Sequence, residues 1–414
     1  MIMNKIEIMA PAGSFESLRA AIDGGADSVY FGIGRLNMRS RSSQNFTLED
    51  LHEIAAICNE AGVKSYVTLN TIVFDNELDE MKAIADACLS AGVSAVIASD
   101  SAVLGYLRAI NQPLHISTQC NITNIDAVRF YSQFADVMVL ARELSLKQVK
   151  AITRRIAEEG IKGPSGELVR IELFAHGALC MAVSGKCYLS LDNLNSSANR
   201  GACLQVCRRP YKVTDADGEI ELAIDNEYIM SPKDLCTLPF LNRLIDAGVS
   251  VLKIEGRGRS AEYVKTVARV YKEAAVSIVS GTFTDDRIGL WMKRLEQVYN
   301  RGFWGGYYLG QKLGEWSPGY GSQATRRKLY VGKVTNYFGN LGVAEIKVET
   351  NAILPGDTLI FNGPTTGSFE LEVKEVRLAF DPVPEAQKGD TCSVAVNSIV
   401  RRSDKVYKWM DADS

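Results

Sequence analysis

The chain has 414 residues, 46% hydrophobic and 23% charged, an ordinary globular composition and a length too great for one small core. Its net charge of −3 argues against a broadly basic nucleic-acid coat but leaves room for a local basic patch. No apolar run reaches the length of a membrane span. The N-terminal MIMNKIEIMAPAG runs directly into a strand, with no charged segment ahead of an apolar one. Neither membrane nor secretion is expected, and the chain reads as cytoplasmic.

In chain order, a helix ending in a glycine turn and followed by a short apolar strand recurs through the first 260 or so residues. It reads as DGGADSVYFG, EAGVKSYVTLN, SAGVSAVIAS and later DAGVSVLKIEG. Glycine permits the left-handed turn after a helix, and the β-branched run suits a strand buried on both faces. Eight such runs occur: IEIMAP, SVYFG, KSYVTLN, AVIAS, LHIST, VMVLA, RIELFA and VLKIEG. Amphipathic stretches such as LEDLHEIAAICNEAG lie between most of them. The pattern predicts an α/β fold, a (β/α)₈ TIM-like barrel that is closed or distorted, with an open doubly wound sheet as the alternative.

One connection breaks the rhythm. About 75 residues separate the seventh run, ending near Ala175, from the eighth, starting near Val251. So long a connection carries function or structure of its own. Here it contains a cysteine-rich stretch, a predicted hairpin (YKVTDADGEIELAI), and SPKDLCTLPFLNRLIDAG. That last piece predicts a helix led by Ser231-Pro232 with Asp234 in its first turn. A long helix with Ser260 as N-cap follows the eighth strand.

NRGFWGGYYLGQKLGEWSPGYGS is too aromatic for a simple linker and is expected to pack across the barrel or line a site. From Arg326 the texture changes to short alternating runs broken by Gly, Pro and Asn, which predicts a small antiparallel β-barrel. The expected division is therefore 1–325 for the TIM-like unit, with a cysteine-bearing insertion at 176–230, and 326–414 for the second unit.

Four of the nine cysteines, Cys180, Cys187, Cys203 and Cys207, fall in ELFAHGALCMAVSGKCYLS and NRGACLQVCRRPY, with six, fifteen and three residues between them. Thiolates bind soft metals, and Gly177, Gly185 and Gly201 allow the chain to bend around a common point. Spacing alone leaves an iron–sulfur cluster, a structural zinc and no metal all open. Cys58 and Cys88 lie on apolar helix faces and read as core. Cys392 sits in a late strand, Cys120 at a strand end, and Cys236 is an alternative to Cys207.

A barrel places its chemistry at the C-terminal strand ends. Those ends offer Arg142-Glu143, His176 and Glu255-Gly256-Arg257, with Lys253 inside the eighth strand and Arg39 in the loop after the second. Arg39, Arg142, Lys253 and Arg257 are candidate ligands for a dicarboxylate or a phosphate, since arginine grips such groups bidentately. Structural ion pairs, Arg142 with Glu143 and Glu255 with Arg257, are the competing reading. His176 and Glu255 are the catalytic candidates. No HExxH is present, and no Ser, His and Asp set is suggested.

The stretch from Glu172 to Ser190 resembles the signature of the U32 "peptidase" family. The likeness extends to APAG, ISTQ, VLARELS, SPKDL and KIEGRGRSAEYV. Several branches of that family are hydroxylases of RNA or of quinone precursors carrying a 4Fe–4S cluster. The NRGF segment and the second unit look most like the prephenate-dependent tRNA uridine hydroxylase branch. The resemblance implies oxygen-independent formation of 5-hydroxyuridine at a tRNA wobble position, with prephenate as co-substrate and Cys180, Cys187, Cys203 and Cys207 as cluster ligands.

The alternatives are a ribosomal RNA cytidine hydroxylase, a non-catalytic zinc-stabilised RNA-binding protein and, last, a peptidase. The expected partners are tRNA, a small dicarboxylate and, as an open alternative, a second copy of the chain. Basic and aromatic residues interleave in ATRRKLYVGK and SIVRRSDKVYKW, making Arg326, Arg327, Arg401 and Arg402 the candidate RNA contacts. From Arg326 onward acids and bases balance at twelve each, so a solvated charged surface is the competing reading.

Overall fold

Parallel strands pair in chain order until the ring closes on itself. The computed structural model describes residues 6–41, 44–212, 228–311 and 314–412. The N-terminal strands are β1 (Glu7–Pro11), β2 (Ser28–Gly32), β3 (Lys64–Leu69), β4 (Ala95–Ala98), β5 (Leu114–Ile116), β6 (Val137–Val139) and β7 (Arg170–Gly177). A short β8 (Asp234–Cys236) lies outside the ring, and β9 (Val251–Ile254) completes it. Glu172 pairs with Val251 across β7 and β9, and Glu7 pairs with the same Val251 across β1 and β9. Every pairing within the ring is parallel, so the barrel is closed and the open-sheet alternative is excluded.

Helices α1 (Phe15–Asp23), α2 (Asp50–Glu60), α3 (Leu78–Ser90), α4 (Ser101–Ala109), α5 (Ile125–Ser132) and α6 (Leu146–Glu158) alternate with these strands. Their starts are chemically marked. Ser14 and Ser17 cap α1 reciprocally, Ser145 and Gln148 do so for α6, and Asp100 and Asn124 accept backbone N–H bonds at α4 and α5. The turns after α2 and α3 use Gly62 and Gly92 at φ of 66° and 69°, as the recurrent pattern predicts. Outward-facing strand residues such as Ile8, Val29 and Val67 join the helices in the main core. Met9, Tyr30, Tyr66 and Ile97 fill the barrel interior.

The interior also holds charge. Glu7 accepts from Tyr66 Oη at 2.7 Å and pairs with Arg170 at 3.1 Å. Burial alone would raise its pKa, but Tyr66, Lys64 and Arg170 outweigh it and hold the carboxyl at about 2.

Between β7 and β9 the register shifts at Ala175. The freed Ala175 carbonyl accepts from Thr237 N at 3.1 Å and Tyr271 Oη at 2.9 Å. Those bonds draw in β8, which runs antiparallel to the end of β7 with His176 opposite Cys236. The SPKDL segment is therefore a strand, not the first turn of a helix. Asp234 N donates to the Gly302 carbonyl at 2.9 Å, and a partner so distant in sequence overrides the local signal. The connection also holds α7 (Leu189–Leu194), and helix in the SPKDL region is confined to α8 (Leu241–Asp246) after a 3₁₀ turn. The expected hairpin lies outside the described residues from 213 to 227.

After β9 come α9 (Ala261–Val279) and α10 (Asp285–Glu296); Ser260 stands at the N-cap of α9 without a side-chain cap bond. The NRGF segment then adds β10 (Phe303–Trp304) beside β8, and Tyr308 Oη donates to the Phe174 carbonyl at 2.9 Å. It packs across the barrel as expected. Among the described residues no helix is long and apolar enough to cross a membrane.

The C-terminal unit comprises β11 (Arg326–Phe338), β12 (Val343–Val348), β13 (Thr358–Gly363), β14 (Gly367–Glu372), β15 (Val376–Leu378), β16 (Asp381–Val383), β17 (Thr391–Ala395) and β18 (Lys405–Asp411). All pair antiparallel, in the order β14-β13-β18-β11-β12-β17-β15-β16, around a separate core that includes Val331, Ile346, Phe361 and Val406. The sheet rests on α1 and α9. Lys328 pairs with Glu262 at 2.8 Å, and a Cβ on Gly367 would come within 2.9 Å of the Arg19 side chain.

Candidate active site at the barrel mouth

The strand ends and the cysteine-bearing connection enclose a cavity of about 230 Å³. Local backbone chemistry shapes its lid. Gly177, at φ 104°, begins the connection where a Cβ would sit 2.4 Å from the Glu255 carbonyl. Gly201, at φ 76°, passes so close to Asn37 that a Cβ would sit 2.1 Å from its carbonyl oxygen. Arg200 bonds Glu77 and the Ile72 carbonyl and stacks 4.0 Å over Phe74, fastening the connection to the loop after β3.

Cys180, Cys187, Cys203 and Cys207 all line this cavity, and none is in a disulfide. Burial pushes the Cys207 thiol up to about 11; the other three cysteines add to the rise while Arg208 opposes it. Cys207 thus lies within electrostatic reach of the other three sulfurs. Among the described residues no three His, Cys, Asp or Glu side chains are arranged to hold an ion. Cys236 is buried in the wall against Tyr271 Oη and Met292 Sδ, each at 3.8 Å, and does not line the cavity. Cys58, Cys88 and Cys392 are core residues whose thiols burial pushes up to about 12.

The four predicted cations all line the cavity, in different states. Arg39 pairs with Glu255 at 2.9 Å. Burial acts to raise the Glu255 pKa, yet Arg39 and Arg259 hold the carboxyl below the usual range. Lys253 is buried against Glu172 at 2.7 Å, beneath the Tyr30 ring. Arg142 is half-buried over the Phe174 ring and makes no ion pair with Glu143. Arg257 is 5% exposed, and its Nη1 donates to Asn37 Oδ1 at 3.0 Å and Thr68 Oγ1 at 2.9 Å. Its hydrogen-bond partners are neutral, and burial pushes its pKa down to about 10. The expected structural pair with Glu255 is replaced by Arg39–Glu255.

His176 does not line the cavity. It lies buried among Tyr263, Tyr271 and Phe303, 3.4 Å from Tyr271 Oη through Nδ1, and burial with Arg259 nearby pushes it down to about 3. A residue near a strand's end can turn into the wall instead of the mouth, and the shift at Ala175 sets that parity here.

Three lining arginines escaped the sequence reading. Arg208 donates to Ser231 Oγ, the Pro232 carbonyl and the Leu179 carbonyl at 2.9, 2.6 and 2.8 Å. Arg301 pairs with Asp234 at 3.3 Å, and Arg259 lies 3.6 Å over the Tyr299 ring. The positions of Arg259 and Arg301 in KIEGRGRS and NRGF were the available signal.

Residues 13–318 match the model of peptidase family U32. The chain belongs to that family. This U32 chain is 56% identical over 409 residues, 99% of both chains, to a Porphyromonas gingivalis protein named "Collagenase". It is 31% identical over 389 residues to "tRNA hydroxylation protein P1" of Bacillus subtilis, covering 91% of this chain and 88% of that one. An Escherichia coli 23S rRNA 5-hydroxycytidine synthase is 37% identical over 279 residues, 67% of this chain and 40% of that one.

The predicted RNA contacts of the U32 chain do not form one patch. Arg326 and Arg327 pair with Asp411 and Met410 at one end of the β11–β18 ladder, with Arg326 stacked 4.9 Å over Trp409. Arg401 and Arg402 are exposed just before Lys405, at the other end, roughly 20 Å away at strand spacing. An antiparallel pair sets the start of one strand beside the end of the other, so nearness of both pairs to aromatic residues did not bring them together.

Proposed function

We propose that the chain is an RNA hydroxylase. It forms 5-hydroxyuridine at a tRNA wobble position without dioxygen, drawing on prephenate, with a 4Fe–4S cluster on Cys180, Cys187, Cys203 and Cys207. The observation that carries this reading is Arg257, a buried guanidinium hydrogen-bonded to neutral groups on the wall that also bears four unbridged cysteines. Glu255 lies within its electrostatic reach but is paired with Arg39, so an added anion would further offset the cost of burying this cation. Arg142 supplies a second cation at the same wall, and two arginines suit the two carboxylates of prephenate.

Four unbridged thiols lining one cavity are the donor type a cluster takes, and although no three are gathered around one point in this structure, Cys207 feels the charge of the other three, which supports assigning the cluster to them. When bound there, it would supply redox and Lewis-acid chemistry. The protein's own residues do the rest. Arg257 and Arg142 orient the dicarboxylate, while the ionised Glu255, the one carboxylate among the described residues that line the cavity, accepts the proton that leaves uridine C5. Relatives named for tRNA and rRNA hydroxylation support RNA as the second substrate. None of the three histidines lines the cavity, which favours this reading over hydrolysis by a histidine-activated nucleophile.

The C-terminal sheet is proposed to hold RNA through Arg326 and Arg327 at one end and Arg401 and Arg402 at the other. Mass spectrometry of nucleosides from cells with and without the gene tests the activity. Loss of 5-hydroxyuridine from tRNA is expected. Loss of 5-hydroxycytidine from ribosomal RNA would move the substrate to the ribosome, and no change in either would overturn the reading.

A further inference from the structure

A second cavity, of about 640 Å³, adjoins the first, sharing Cys203, Gln205, Arg208 and Arg301 with it, and meets solvent at the exposed Arg41, Arg209 and Tyr320. Four arginines and no carboxylate line it. Arg208 and Arg301 are committed to the shared wall through the bonds described above. Arg41 and Arg209 are exposed and make no ion pair among the described residues. Two tyrosines also line it. One face of Tyr299 is covered by Arg259, whereas Tyr320 is 77% exposed. Its loop is fixed in place: Ser317 N donates to the Ser231 carbonyl at 2.7 Å, and Lys233 N to the Glu315 carbonyl at 2.9 Å. The ring is therefore presented at the rim by an anchored segment.

We propose that this outer cavity is a nucleotide-binding site that holds the RNA strand next to the base entering the inner cavity. Phosphates lie against Arg41 and Arg209, and a neighbouring base stacks on Tyr320. The inference rests on the RNA reading above and adds to it where the strand runs. Unneutralised arginines call for a polyanion, and an open aromatic face at the same rim calls for a flat partner, a combination that single-stranded RNA supplies. An acidic peptide would satisfy the arginines but leave the ring unused. A base must also leave its stack to reach chemistry at the bottom of a cavity, so the strand beside it needs holding.

The test is fluorescence anisotropy of the full chain with an anticodon stem-loop RNA across a salt series. Thermal midpoint and iron content of every variant are measured alongside. Arg41→Ala with Arg209→Ala should weaken binding at least tenfold at low salt and reduce the salt slope by about 1.4 to 1.8, two phosphate contacts' worth. Tyr320→Ala should weaken it about tenfold and Tyr320→Phe should not, as stacking on the ring requires. If the wild type binds the RNA and the double variant matches it in affinity and slope, this site is wrong while the RNA reading stands. If the wild type binds no RNA, both fall. If polyglutamate binds as tightly as RNA with the same dependence on Arg41 and Arg209, the cavity takes acidic peptides and the inference is overturned.

Discussion

Arg208 Nη2 donates to the Leu179 carbonyl at 2.8 Å, so the residue after one cysteine is tied to the residue before another. The same guanidinium holds Ser231 and Pro232. Cys207 and Cys180 thus owe their common wall to a third side chain that is not a ligand.

Arg208→Ala should therefore lose iron while all four cysteines remain. Three bonds from a half-buried cation vanish, at about 1.5–3 kcal/mol for a typical charged hydrogen bond. Arg208→Lys cannot span the same partners in one plane and should behave nearly as badly. Iron per chain and visible absorbance after anaerobic purification check this. Full iron in Arg208→Ala would show that the thiols position themselves.

Single alanine substitutions at Cys180, Cys187, Cys203 or Cys207 should each abolish visible absorbance. Cys236→Ala should keep it and lower the thermal midpoint only, because Cys236 packs against Tyr271 and Met292 outside the cavity. Iron lost from Cys236→Ala but kept in Cys207→Ala would reverse the ligand assignment.

Arg142→Lys and Arg257→Lys should raise the prephenate requirement by the equivalent of about 2–5 kcal/mol while sparing iron and tRNA affinity. Binding to the folded state also stabilises it, by about 2.7 kcal/mol at a hundredfold excess over Kd. Prephenate should raise the thermal midpoint of the wild type and fail to do so in these variants. A purely structural arginine would instead lower the midpoint without altering the response to prephenate.

His176 titrates far below its ordinary value because burial disfavours the imidazolium. Between pH 6.5 and about 3 the unfolded chain binds a proton that the folded chain does not, so this residue's contribution to stability falls as pH falls. The loss approaches about 1.4 kcal/mol per pH unit within that window. His176→Phe should flatten part of the decline in thermal midpoint between pH 7 and pH 5. An unchanged slope would mean that other groups carry it.

The eight barrel strands were legible because each is a short β-branched run bounded by a glycine turn, and burial on both faces leaves little ambiguity. β8 was not legible. It spans three residues, and its partners, Gly177 and Gly302, lie far away in sequence. The cysteines announced themselves by clustering. Arg208 did not, since nothing in RRPY distinguishes a guanidinium bridging carbonyls from one in solvent. The sequence likewise does not reveal that Arg326 and Arg401, in segments of similar composition, stand at opposite ends of one strand pair. His176 was misplaced by a single-residue register shift, which no periodicity reveals.

Asn37 stands between two halves of the mouth. Its side-chain oxygen accepts from Arg257, and its backbone carbonyl lies directly against Gly201 in the cysteine-bearing connection. Whatever orders that connection therefore also braces the guanidinium proposed to bind the dicarboxylate, and a dicarboxylate bound there would stiffen the connection in return. By thermodynamic reciprocity the two occupancies share one coupling free energy. A chain stripped of iron should bind the dicarboxylate more weakly, and a chain saturated with dicarboxylate should surrender its iron to a chelator more slowly.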